Sequence, residues 1–173
     1  MGNIAATLLI LRATELLTPG HGIDSAAQLS LKLYTAYNLA ATLVSVPAGH
    51  HGDRRSPVRV LVAGTIAFGA AYLTLALTGA GLPVLAIGFL LAGIGIGCVE
   101  TAEHAAVARL ARERLRGSAF GLLATVQSLG NFAASAIAGI LWTAVSPTAA
   151  FTYAAAWMLI ALIAFTSTRV AST

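Results

Sequence analysis

Val60–Gly79 runs for twenty residues without a charged side chain, and Val84–Val99 runs for sixteen more. A helix rises 1.5 Å per residue, so about 20 apolar residues cross the hydrocarbon core of a bilayer. Runs of that length leave few choices. A membrane barrel would instead show alternating segments of about 10 residues, so strands are not expected. Between Leu29–Gly49 and Val60–Gly79 lies the charged stretch Pro47–Arg59, with Asp53, three arginines and two prolines expected to stop helices. It marks one membrane face, and the remaining topology is counted from it.

Composition agrees. With 58% hydrophobic and 9% charged residues, the chain lacks the polar surface of a soluble domain, where about 25% of residues are charged. The net charge of +4 lies in loops between apolar runs rather than in one stripe, which argues against nucleic acid as a partner. Cys98 is the only cysteine, which excludes an internal disulfide and any CxxC site. The apolar N-terminus carries Arg12 and Glu15 and has no basic leader, so it reads as a first membrane helix rather than a cleaved signal.

The expected fold is all-α: a single polytopic domain of six transmembrane helices. The spans fall at about 3–18, 29–49, 60–79, 84–103, 118–143 and 149–166. Pro19-Gly20 ends the first, and a polar loop, His21–Gln28, leads to the second. Ala80-Gly81-Leu82-Pro83 turns between the third and fourth, and Ser146-Pro147 between the fifth and sixth. Arg54, Arg55 and Arg59 follow the second span, Arg109, Arg112, Arg114 and Arg116 the fourth, and Arg169 the sixth. The odd-numbered connections carry no Lys or Arg, although Lys32 stands near the outer start of span two. The basic connections and both termini are therefore expected on the cytoplasmic side. Gly93-xxx-Gly97 and Gly130-xxx-Ala134-xxx-Ala138 place small residues on one helix face each, as close packing in lipid requires.

Polar residues inside spans are the candidate site. Arg12 and Glu15, three apart, share a helix face; they line a cavity or lock span one to its neighbours. Tyr34 with Asn38, and Gln127 with Asn131, are each four apart and form uncharged strips suited to a ligand or to neighbouring helices. Glu100 and Glu103 lie near the end of span four, level with the Asp53–Arg59 stretch, where carboxylates and guanidinium groups can pair or simply set topology. No HExxH, phosphate-binding loop or G-x-S-x-G occurs. Adjacent His50-His51 point apart, and Glu100 with His104 is too small a ligand set. No metal, cofactor or enzymatic activity is expected.

Three stretches together resemble the C-terminal half of a bacterial major facilitator superfamily transporter. Gly49, Asp53 and Arg54 match the start of the loop signature G-x-x-x-D-R-x-G-R-[KR], with Ser56 in place of its second glycine and Pro57 in place of a basic residue. Glu100-Thr-Ala-Glu-His through Arg116-Gly-Ser-Ala-Phe-Gly121 resembles the end of helix ten, the basic loop and the start of helix eleven. Ser128-Leu-Gly-Asn through Ala138-Gly-Ile-Leu-Trp142 resembles the rest of helix eleven.

The resemblance implies helices seven to twelve, built as two inverted three-helix repeats, with a small-molecule solute held between two six-helix halves. Spans one, two, four and five would line the cavity, and three and six would stay peripheral. The second half would be a missing N-terminal unit or another copy, and the membrane a bacterial cytoplasmic one. The expected activity is secondary transport, coupled to protons through Glu15 or Glu100. The alternative is a six-helix membrane partner that transports nothing. The resemblance also implies a latch at Gly49, Asp53, Arg54, Glu100 and Glu103. In it Asp53 would rest on the start of helix five near Gly117–Gly121, and Arg54 would pair with Glu103.

Overall fold

The computed structural model describes residues 6–76 and 81–170, the side chains of 166–170 aside. Six α-helices account for almost all of them: α1 Ala6–His21, α2 Ile23–Arg54, α3 Pro57–Ala76, α4 Leu82–Leu110, α5 Arg116–Ala144 and α6 Pro147–Val170. A short 3-10 turn, Glu113–Leu115, precedes α5. No strand occurs among the described residues. Four helical stretches, Pro57–Ala76, Leu82–Leu110, Glu113–Ala144 and Pro147–Phe165, are long and apolar enough to cross a membrane. The described part of α1 has 16 residues, and α2 is diluted by Ser25, Gln28, Ser30, Lys32, Thr35, Asn38, Thr42 and Ser45. The expected start of span one (residues 3–5) and the end of span three (77–79, with Ala80 of the following turn) lie outside the described residues.

The helices overrun the expected spans most at three places, and each of these overruns has a local cause. Pro19-Gly20 does not end the first helix, which runs through both to His21, and the expected loop His21–Gln28 shrinks to Gly22, whose φ of 74° turns the chain before α2 begins. Pro47 does not stop α2. The helix passes through it to Arg54, because a proline removes one hydrogen bond and a membrane helix tolerates that loss beside others like it. Pro57 does act as a stop: it disfavours helical geometry at Ser56 and starts α3 itself. In α4 the run Ala102, Ala105, Ala106, Ala108 carries strong helix propensity, so the helix continues from Glu103 to Leu110.

α4 is the centre of the bundle. Its glycines alternate sides. A Cβ added at Gly97 would reach the Ala41 carbonyl oxygen of α2 at 2.5 Å, and one at Gly93 would run into the Tyr37 carbonyl. One added at Gly95 would meet the Phe68 ring of α3 at 2.8 Å, and one at Gly64 of α3 would meet the Cys98 Cβ of α4 at 2.8 Å. Backbones this close supply the dispersion that lipid-embedded helices need in place of a hydrophobic drive. α3 and α6 join through stacked Phe68 and Tyr72, with ring centres 5.6 Å apart, and through Phe151, 6.3 Å from Tyr72. α5 is the loosest helix, burying only Gly130 and Ala138. It is attached to α6 where the two meet, through Trp142 edge-on to Phe151 at 5.9 Å.

Candidate functional site

Where α5 leaves the bundle, a cavity of about 400 Å³ opens between α3, α4, α5 and α6. Each helix contributes one spaced face. Glu100 and Glu103 come from α4, three apart, and Gln127, Ser128 and Asn131 come from α5, spanning one turn. Thr65 and Phe68 of α3 and Trp157 and Phe165 of α6 close the apolar side. The Gln127 amide donates to Glu103 Oε2, crossing from α5 to α4. The Glu100 carboxylate accepts no such bond among the described residues. His104, one turn on, has its Nδ1 2.7 Å from the Glu100 backbone carbonyl and stacks its ring on Phe120 of α5, 5.8 Å away. Among the described residues no Lys, Arg or His lines the cavity.

The expected cavity set divides. Gln127 and Asn131 line this cavity; Arg12, Glu15, Tyr34 and Asn38 do not. Arg12 Nη1 lies 3.5 Å from Glu15 Oε2, with the Arg12 side chain buried and Glu15 half-exposed. Arg12 Nε has no hydrogen-bond partner among the described residues. Thr14 of α1 donates to Ser30 Oγ of α2 at 3.0 Å and ties the two helices beside that pair. Asn38 is exposed and donates to its own Tyr34 carbonyl at 2.8 Å, while Tyr34 stacks on Tyr37 at 5.5 Å. α3 and α6, expected to be peripheral, supply two walls of the cavity. They do so because α5 diverges and exposes their inner faces.

The latch contacts also differ. Asp53 does not reach the start of α5, and Gly117 and Gly121 stand in open space. Asp53 Oδ1 lies 3.4 Å from Arg109 Nη2, at the last turn of α4. The same nitrogen donates to the Gly52 and Asp53 carbonyls at 3.0 and 2.9 Å, so Arg109 caps the end of α2. Among the described residues Arg54 makes no ion pair with Glu103, whose partner is Gln127. Glu100 and Glu103 belong to the cavity rather than to the Asp53 contact. Gly49 lies against Thr101, where an added Cβ would sit 3.5 Å from the methyl. Arg109 is the residue sequence reasoning passed over. Its signal was the alanine run, which carries α4 far enough to bring a guanidinium level with the end of α2.

A bundle of long apolar helices around a polar, acid-bearing cavity is the architecture of a multi-pass membrane protein. The sequence matches the Major Facilitator Superfamily over residues 4–172, and the chain belongs to that family. It is 36% identical over 114 residues to a protein named gentisate transporter from Corynebacterium glutamicum; the match covers 65% of this chain and 25% of that protein. No solved structure matches.

Proposed function

We propose that this chain is one six-helix half of a secondary transporter that moves a small solute by alternating access. The observation that carries the reading is the gathering of Glu100, Glu103, Gln127 and Asn131 around one cavity in an otherwise apolar bundle. Ionisable groups inside a membrane are costly and mark ion or substrate pathways. Glu100 is the proton-coupling carboxylate in this reading, ahead of Glu15, which already has Arg12 as a fixed partner. The working transporter also contains a second six-helix unit, an N-terminal half or another copy, that closes over α1, α2, α4 and α5. It sits in a bacterial cytoplasmic membrane with its arginine-bearing connections and both termini inside, and it acts on its solute by translocation rather than by chemistry.

Proteoliposomes holding the chain with its second half test the proposal. An imposed pH gradient should drive accumulation of one member of a panel of small organic cations, neutral molecules and anions, with gentisate included on the strength of the relative's name. Glu100→Gln should remove the pH dependence while leaving the protein in the membrane. Full gradient-driven uptake in that variant would move coupling to Glu15.

A further inference from the structure

We infer that the cavity between α3, α4, α5 and α6 is a binding site for a monovalent organic cation, a protonated amine on an aromatic body. The inference rests on the cavity being part of a transport unit, and it adds which ligand chemistry the cavity accepts. Four observations carry it. The volume of about 400 Å³ lies in the range of small-molecule sites, roughly 300–1,000 Å³. Its charge is of one sign: two carboxylates face it, and among the described residues no basic side chain does. An anion would enter against both. Gln127 already occupies one oxygen of Glu103, whereas the Glu100 carboxylate and the Ser128 and Asn131 side chains make no hydrogen bond among the described residues. An ammonium group, with donors and no acceptors, can pair with the Glu100 carboxylate while the Ser128 and Asn131 oxygens accept its remaining protons. Phe68, Trp157 and Phe165 also line the cavity; Phe68 is already stacked on Tyr72, which leaves Trp157 and Phe165 as the rings available to an aromatic body and a cation.

The cavity lies within one six-helix unit. A ligand there touches α4 and α5 together and bridges the helix that is bound tightly to the bundle and the one that is not. Occupancy therefore draws α5 toward α4 at the end where the Gln127–Glu103 bond and the His104–Phe120 stack now join them.

Trp157 gives a direct readout. Of the two tryptophans, Trp142 can be changed to Phe with an aromatic ring kept against Phe151, leaving the cavity residue as the sole tryptophan, excited apart from the tyrosines at the red edge of the absorption band. The Trp142→Phe chain in detergent micelles is titrated with 2-phenylethylammonium, with uncharged 2-phenylethanol and with the anion 3-phenylpropanoate. Saturable quenching is expected for the ammonium at a concentration at least about tenfold below that for the alcohol, the scale of one charge-assisted contact, and no saturation is expected for the anion. Glu100→Gln should abolish the preference for the cation. Asp24→Asn, which removes the same charge at the start of α2, should keep it. If Glu100→Gln loses far-UV helicity, Glu103→Gln serves, since an amide there still accepts from Gln127. Calorimetry of the unmodified chain with the same three ligands checks that the Trp142 change is silent. Equal affinity for alcohol and ammonium, tighter binding of the anion, or an unchanged cation preference in a folded Glu100→Gln chain would each overturn the inference. The titration uses no gradient, so a chain that binds the cation but moves no protons sinks the transport reading alone.

Discussion

At the scale of single residues, three positions separate sharply by what surrounds them. Gly97 leaves no room for a side chain, because its Cβ position is 2.5 Å from both the Ala41 carbonyl and the Val44 Cγ1. Gly139 sits on the same kind of helix with nothing within 4 Å. Gly97→Leu should therefore destabilise the bundle by about 1–3 kcal/mol or more through overpacking, and Gly139→Leu should be close to neutral. Thermal unfolding of the two variants in one detergent makes the comparison. At the end of α2, Arg109 makes two bonds to carbonyls and one ion pair, whereas Asp53 supplies only the ion pair. Asp53 is 72% exposed, so solvent screens the pair, and Asp53→Asn should cost less than about 0.5 kcal/mol. Arg109→Ala uncaps the helix, and labelling of a cysteine placed at His50 should rise several-fold in that variant and hardly at all in Asp53→Asn. The sequence marked Asp53 by motif, but the partner that matters is an arginine whose position depends on how far α4 continues.

At the scale of elements, α4 and α5 are the same length, 29 residues each, and are held very differently. Ten residues of α4 are buried, against two of α5. Helices with few buried contacts open first. Backbone hydrogen exchange in detergent should thus be about tenfold or more faster in the Ser118–Gln127 half of α5 than in Gly88–Cys98 of α4. Comparable protection in the two would mean that the Gln127–Glu103 bond and the His104–Phe120 stack anchor this half of α5 as firmly as packing anchors α4. The run lengths and the turns at Pro57 and Ser146-Pro147 were legible in the sequence, since apolar span and proline geometry are local properties. The cavity was not. Its membership depends on which face of α5 turns inward and how far that helix diverges, and no spacing within α5 encodes a distance to α3 or α6. Gln127 with Asn131 could be paired by helical period, but joining them to Glu100 and Glu103 needed the tertiary structure.

At the scale of the whole molecule, the polar surface is lopsided. Lys32, Thr35, Asn38 and Thr42 lie exposed along α2, and Thr35, Asn38 and Thr42 bond only to carbonyls one turn back in their own helix. Leu39 and Leu43 share that exposure, so the surface is mixed rather than uniformly lipid-like. A second six-helix unit covering this face would shield it. A cysteine at Asn38 or Thr42 should then react with a membrane-impermeant maleimide in the isolated chain and be protected at least several-fold when the second unit is co-expressed. Equal labelling in both would leave the face to lipid and water.

Cys98 sits in a close crossing of the bundle, packed where Gly64 of α3 meets α4, and only 8% of its surface is accessible. A thiol so enclosed is out of reach of bulky reagents. The chain as nature made it therefore serves as its own silent background: every introduced cysteine can be read one at a time, with no prior substitution at the crossing that holds α3 to α4.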